Sequence, residues 1–559
     1  MTSPRRMWRP LAVLIVVIVA LMLVLSACGK KSTTPGKTGG TPQPGGTYNY
    51  PLGANPTTID PATAYESEGI QVAHQVFQGL VKYELNDAGE METKPMIATS
   101  WETNADFTVW TFHLRDDVTF APPVSRKVVA QDFKDSWDFA AAPDTGSYVA
   151  YIFDAIEGYD PDSGTAPNGL TGVKVIDDVT LEITLRYGFA EFPVTLGHPV
   201  ASAMPMDYVN KIGWKAFREK PLGSGPYLVT SFKRNRSIEL AKNSGYWDPA
   251  TAGYVDTIHM PIVLSDDTMM LEFQKGTVDY TDIPSGQSKK WETSPEVASG
   301  EYLFARTPQL WNGTVGVNMS SSEVGGDVNT EGGDPNAPLR QALSYAVDRD
   351  SIATIVLQGD AVAASGVVPP GVPGYRENQT PYAYDLAKST ELFKQAASPP
   401  LTYAYNPESV ANKKIGEALQ SYWAEAGQEV GLESFEWSVF LEKTAAGTET
   451  QLFRNGWVAD YPSMDNFLYP QYQSKQPGGN NSCHYKSAKF DDLLASARST
   501  ADAAQRQNLY AEAEKVLLTD VAVIPITFNA DINLYSSRVQ GQGHDGMGFE
   551  DMWKVWVTQ

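Results

Sequence analysis

The sequence predicts a mixed α/β protein, and three observations carry that reading. Stretches of apolar residues with a two-residue period are interleaved with stretches at helical spacing, which argues against a bundle or a sandwich. The chain is 559 residues long and 42% hydrophobic, enough for several packed units of roughly 100–200 residues each. No repeat with a period of about 20–50 residues recurs. Acidic residues outnumber basic ones by 66 to 43, for a net charge of -23. Phosphate backbones demand clustered Lys and Arg, so no nucleic-acid partner is expected. Two cysteines exclude a disulfide framework and any Cys-rich zinc module.

Residues 1–27 read as a signal peptide. Arg5, Arg6 and Arg9 form a basic start, and Leu11 to Leu25 is an apolar run shorter than the about 20 residues of a bilayer span. The run ends in Leu25-Ser26-Ala27-Cys28, which resembles a bacterial lipobox. That resemblance implies that Cys28 is lipidated and becomes the mature N-terminus. Removing residues 1–27 costs three arginines and no acid, taking the charge to -26. Residues 28–46 are the lipidated Cys and a Gly/Pro/Ser/Thr/Lys/Gln tether that has no apolar surface to bury. Gly36-Lys37-Thr38 lacks the earlier glycine of a phosphate loop, because position 31 is Lys.

The elements of the body follow in order. Thr108 to Phe120 reads as a strand with Trp110, Phe112 and Leu114 on one face. Val179, Leu181, Ile183 and Leu185 form the buried face of a second. Leu339, Ala342, Leu343, Ala346 and Val347 lie at helical spacing, with Gly359 as the stop. Leu509, Ala513, Val516 and Leu517 mark another amphipathic helix, and Ser320 to Pro338 reads as a surface loop.

Catalytic motifs are missing. None of the six histidines falls in an H-E-x-x-H helix, and no Gly-x-Ser-x-Gly elbow occurs. Gly541 to Gly546 formally matches G-x-G-x-x-G, but no helix opens after it, and it reads as a turn. Asp160-Pro-Asp162-Ser-Gly164 starts like a calcium loop but has Thr171 where the glutamate belongs. No cofactor and no metal site are expected. Cys483 beside His484 is not a metal pair and reads as a buried or half-buried thiol.

Several segments resemble the extracytoplasmic solute-binding protein family 5 of ABC importers, in its oligopeptide- and dipeptide-binding lipoprotein members. They include Ile59-Asp60-Pro61, Ala98-Thr-Ser-Trp101, Phe112-His-Leu-Arg115, PLGSGPY at 221–227, GTVDYTDIP at 276–284, LRQALSYAVDRDSI at 339–352 and GWVADYPSMDNF at 456–467. The resemblance spans about residues 46–559. Three places depart from the family pattern: APPVSRKVVAQDF at 121–133, Ser463-Met464 in place of Asp-Pro, and the Gly/Asp-rich stretch 320–336. The resemblance implies a periplasmic-binding-protein-like fold (type II, the large cluster C), two-lobed with an extra third domain. Lobe 1 (domain I) is expected over 47–82, 206–305 and 528–559, domain II over 83–205, and lobe 2 (domain III) over 306–527.

For the site, the resemblance implies that Asp460 of the Trp457-x-x-Asp460 motif pairs with a peptide's α-ammonium. Arg454, six residues earlier, matches a position that helps hold the ligand carboxylate. Gly456 and Val458 would offer backbone groups to an extended ligand, as in strand addition. Trp437 matches a side-chain pocket, and Tyr148 a residue near the ligand's N-terminal end. The expected protein is a non-enzymatic, monomeric receptor for short peptides. It serves an ABC permease and is held by lipid on Cys28 to the outer face of the bacterial cytoplasmic membrane. The alternatives are a nickel chelate, opine or oligosaccharide as ligand, a peptide sensor, or an exported hydrolase assembled from distant segments.

Overall fold

A computed structural model describes residues 41–558 other than 87, 285, 332, 397–398, 408, 448–449 and 476–479. Cys28, the signal peptide and most of the tether lie outside the described residues.

The strand expected at 108–120 forms over Val109–Leu114. Trp110, Phe112 and Leu114 are buried as a set, because alternate side chains of a strand share a face. Arg115 follows the strand. Its guanidinium bonds Asp117 at 2.6 Å and lies 3.5 Å over the Trp247 ring. The second expected strand forms over Thr180–Thr184, with Leu181 and Ile183 buried. These two are the middle of an antiparallel four-stranded sheet completed by Ala98–Thr103 and Val173–Asp177. A second four-stranded sheet runs Thr47–Asn49, Thr257–Pro261, Ser237–Lys242, Tyr227–Lys233.

The largest sheet has seven strands: β1 (Tyr280–Asp282), β2 (Tyr302–Val317), β3 (Ala361–Ala363), β4 (Leu401–Tyr405), β5 (Val430–Ser434), β6 (Leu452–Val458) and β7 (Val523–Ser536). Their spatial order is β1-β7-β2-β6-β4-β5, with β3 also on β7. The long strands β2 and β7 pair antiparallel from Tyr302↔Ser536 to Gly316↔Val523. Between Pro308↔Ala530 and Asn312↔Phe528 the register shifts, leaving Gln309–Trp311 as a bulge on β2. The bulged Leu310 donates its N–H to the Gly546 carbonyl (2.7 Å) and accepts from the Ala459 N–H (2.9 Å).

Two large apolar cores lie on either side of this crossing. One gathers residues between Tyr48 and Met260 with Ala305, Tyr535 and the C-terminal Val557. The other gathers Leu310 through Ile526. Each long strand therefore passes from one core to the other.

The helix expected from Leu339 does not run on to Gly359. It covers Ala337–Tyr345, and Asp348 then accepts from the Ser351 N–H (3.0 Å) to cap a new short helix, Arg349–Ser351. A side-chain oxygen at that position satisfies an otherwise unpaired donor and restarts the helix. The last expected helix forms over Ala503–Asp520. The described residues of 320–336 form turns, as expected. Cys483 is buried, and burial pushes its thiol up to about 12, where it is inert as a nucleophile at neutral pH.

Candidate functional site

The site begins with which way β6 faces. In an antiparallel strand, successive residues turn their N–H and C=O to opposite edges. The Trp457 N–H donates to Asn312 Oδ1 (3.0 Å) and the Ala459 N–H to the Leu310 carbonyl (2.9 Å), both on β2. Gly456 and Val458 therefore turn their backbone groups to the other edge. There β4 has already ended its pairing, which comprises only Tyr403↔Leu452 and Ala404↔Phe453. Residues 455–458 thus present an open edge beyond the last rung. Gly456 permits the close approach of β2 on the paired side, since a Cβ would sit 2.7 Å from the Asn312 carbonyl oxygen.

Asp460 lies just past the end of β6. Asn466, on the helix Met464–Tyr472, holds this corner. Its Oδ1 accepts from the Asp460 N–H and from Trp457 Nε1, each at 2.9 Å. The Tyr151 hydroxyl donates to Asp460 Oδ2. Burial pushes Asp460 up to about 6, and its hydrogen bonds with Tyr151 and Asn466 recover only part of the shift. Among the described residues no Lys, Arg or His forms an ion pair with it.

Asp460, Ala459 and Val458 line a cavity of about 270 Å³. Its other walls come from the helix Ser67–Val76, the chain from Phe77 to Tyr83, residues 197–202 and the C-terminal segment 545–553. The volume falls near the lower bound of small-ligand pockets, about 300–1,000 Å³. His74 and Asp551 also line the cavity and pair at 2.9 Å, and Lys554 reaches the same carboxylate at 2.7 Å. Burial opposes both charges of the His74–Asp551 pair. Even so, His74 is raised by its partner, and Asp551 is held well below the usual carboxylate range.

The structure separates the expected site residues into two groups. Asp460 and Val458 line the cavity, with Trp457 and Gly456 leading up to it on β6. Tyr148 is 76% exposed and does not line the cavity. Its ring packs 4.9 Å from that of Tyr65, which does. Tyr151, three residues on, makes the contact with Asp460. Arg454 and Trp437 form the second group, with the guanidinium 6.0 Å from the ring centroid. Six extended residues place Arg454 about 20 Å from Asp460. Sequence reasoning missed Tyr151, Asn466, His74, His198 and Asp545. The one local signal was the second Tyr of Tyr148-Val-Ala-Tyr151.

An open strand edge running into an enclosed carboxylate, between two cores bridged by long strands, is the arrangement of a solute receptor. The profile of bacterial extracellular solute-binding proteins, family 5 (middle part), matches residues 92–479, and the chain belongs to that family. Its fold is the two-lobed α/β fold of the periplasmic binding proteins. Among relatives, the oligopeptide-binding protein OppA of Bacillus subtilis is 29% identical over 557 residues, covering 95% of this chain and 97% of its own. Heme-binding protein A of Haemophilus influenzae is 27% identical over 573 residues, covering 97% and 98%. Among solved structures, the ABC transporter-associated periplasmic binding protein DppA of Helicobacter pylori, in complex with peptide STSA, superposes with a TM-score of 0.73. It is 25% identical and covers 92% of this chain and 99% of that one.

Proposed function

We propose that this protein is a non-enzymatic receptor that captures short peptides between its two lobes and passes them to the membrane permease of an ABC importer. The observation that carries this reading is Asp460: a carboxylate enclosed at the cavity wall without an ion-pair partner among the described residues, at the end of an open strand edge. A peptide's α-ammonium supplies the missing charge, and a carboxylate is the acceptor-only group suited to it. Gly456 and Val458 pair with the ligand's backbone, which makes binding indifferent to side-chain identity. Arg454 beside Trp437 receives the carboxylate end, and Tyr148 with Tyr65 flanks the mouth. The peptide-binding names of the relatives support the ligand class.

In this reading lobe 1 comprises 47–82, 206–305 and 528–559, domain II comprises 83–205, and lobe 2 comprises 306–527. The change of core along β2 between Ala305 and Leu310, and along β7 between Ile526 and Tyr535, supports those boundaries. Lipid on Cys28 holds the monomer to the outer face of the cytoplasmic membrane. Cys28→Ser is expected to move the protein from the membrane to the soluble fraction, and an unchanged distribution contradicts the anchor.

The ligand class is tested by extracting the whole chain in detergent and identifying co-purifying molecules by native mass spectrometry. A mixture of short peptides supports the reading. A heme, sugar or metal chelate as the sole ligand overturns it.

A further inference from the structure

Away from the crossing strands, domain II touches lobe 2 a second time. Residues 187–191 lie against three helices, Met464–Tyr472, Ala488–Arg498 and Ala503–Asp520. The Ala190 N–H donates to the Arg498 carbonyl at 2.7 Å, an oxygen that the last turn of its helix leaves over. Glu191 reaches two lobe 2 side chains. Ser463 Oγ donates to its Oε2 at 3.0 Å, and Arg506 Nε lies 3.3 Å from its Oε1. Arg498 Nη1 donates to the Tyr187 hydroxyl at 3.0 Å, and its guanidinium lies 4.5 Å from the Phe189 ring centroid.

The lobe 2 half of this seam is satisfied within lobe 2. Asp465 accepts from Arg498 Nε (2.8 Å) and Nη2 (2.7 Å) and from the hydroxyls of Tyr461 (2.9 Å) and Tyr510 (3.0 Å). When domain II leaves, Arg498 therefore keeps its counter-charge, and Glu191, a charged group at the seam, regains water. Polar contacts of this kind are the ones that domains make and break as they move. The seam also shares a short stretch of chain with the cavity. Asp460 accepts from Tyr151 and Ser463 donates to Glu191, so two residues three positions apart hold domain II.

We propose that residues 187–191 form a latch, in which Glu191 on Ser463 and Arg506, with Ala190 on Arg498, holds domain II to lobe 2 whatever the cavity contains, and that the two bodies part along this seam while each keeps its fold. The inference rests on the lobe boundaries given above and not on the ligand class. Ser463 is the residue that lets the latch close. It donates to Glu191 and carries no charge, whereas a carboxylate there would face Glu191 inside the seam and repel it. Ser463 also caps the helix Met464–Tyr472 by accepting from the Asp465 N–H at 3.1 Å. Aspartate caps as well as serine, so Ser463→Asp changes the charge of the seam and preserves the helix start.

The test is hydrogen–deuterium exchange of the whole chain in detergent, without added peptide, read on the fragment covering residues 187–192. The Ala190 N–H exchanges when its bond to Arg498 opens. Val109–Leu114 in domain II and Leu401–Tyr405 in lobe 2 serve as controls. Ser463→Asp is expected to speed exchange at 187–192 about tenfold or more and to leave both controls within about twofold. Adding Glu191→Gln removes the repulsion and brings 187–192 back to within about threefold of wild type. A change below about twofold in Ser463→Asp, or a gain that Glu191→Gln does not reverse, overturns the latch and leaves the lobe boundaries standing. Exchange that speeds equally in both control strands shows that the two bodies do not part as units and overturns the boundaries together with the latch.

Discussion

The two ends of the proposed peptide track are built on opposite principles. At Asp460 the charge is enclosed, held by Tyr151 and by Asn466, and lacks an ion-pair partner. At Arg454, about 20 Å away along the strand, the charge lies against the face of Trp437, which is 43% exposed. An enclosed charge is worth more to its partner and costs more to leave alone than an exposed one. The difference teaches that the first end fixes one chemical group in one place, whereas the second tolerates where the ligand stops.

The sharpest way to break this contrast is Asp460→Ala. Losing one member of a buried charge pair costs about 2–5 kcal/mol, or about thirtyfold to several thousandfold in affinity, read by calorimetry with a tripeptide. A change below threefold contradicts the assignment. Gly456→Ala comes next. Its new Cβ meets the Asn312 carbonyl oxygen at 2.7 Å, so β6 must shift against β2. Overpacking of this kind costs about 1–3 kcal/mol, visible as a lower melting temperature together with weaker binding.

Arg454→Ala is expected to cost only about 0.5–1 kcal/mol, the range of an exposed ion pair. Amidating the peptide's carboxylate should cost wild type a similar amount and cost the variant nothing further. Additive losses instead separate Arg454 from the ligand's end.

The smallest expected effect is a proton count. Burial has raised Asp460 and Asp545 to about 6, and an incoming ammonium favours their ionised forms. Binding at pH 6 therefore releases a fraction of a proton, measured by calorimetry in buffers of different ionisation enthalpy. Uptake contradicts the charge pairing. The other titratable groups facing these carboxyls are Tyr151 and Tyr83 around Asp460 and His74 and Asp551 around Asp545. The sign for folding is the reverse of the usual carboxylate. Folded values above the unfolded ones mean that the contribution of these two groups to the stability of the ligand-free protein is lost as pH rises from about 4 through 6.

The sequence made the strands legible where burial follows a strict alternation, as at Trp110-Thr-Phe112-His-Leu114. It made Asp460 legible because its motif is local. The rest of the cavity is assembled from residues far apart in the chain. Tyr151 reaches Asp460, and His198 and Asp545 come to the same cavity, only through tertiary packing. His198 in particular carries no sequence signal: its buried Nε2 lacks a hydrogen-bond partner among the described residues, which is visible only once its neighbours are in place. The segment 541–546, read as a turn, instead bends at Gly541 and bridges at His544 to Glu550, with the turn itself starting at Gly546, and Asp545 walls the cavity. Periodicity runs the helix after Leu339 together with the helical turns before Gly359, because it does not register that Asp348 caps a new start at Arg349, which continues through Ile352–Val356.

The bulge at Leu310 gives the connection between the lobes a second role. One peptide unit away from the crossing strands, its carbonyl holds Ala459, next to Asp460, and its N–H holds Gly546, next to Asp545. Two of the three carboxylates that line the cavity are thus one residue from hydrogen bonds to the same backbone position, on the strand that runs from one core to the other. The segments that carry Asp460 and Asp545 are therefore tied to one another through a single peptide unit, without a relay of side chains.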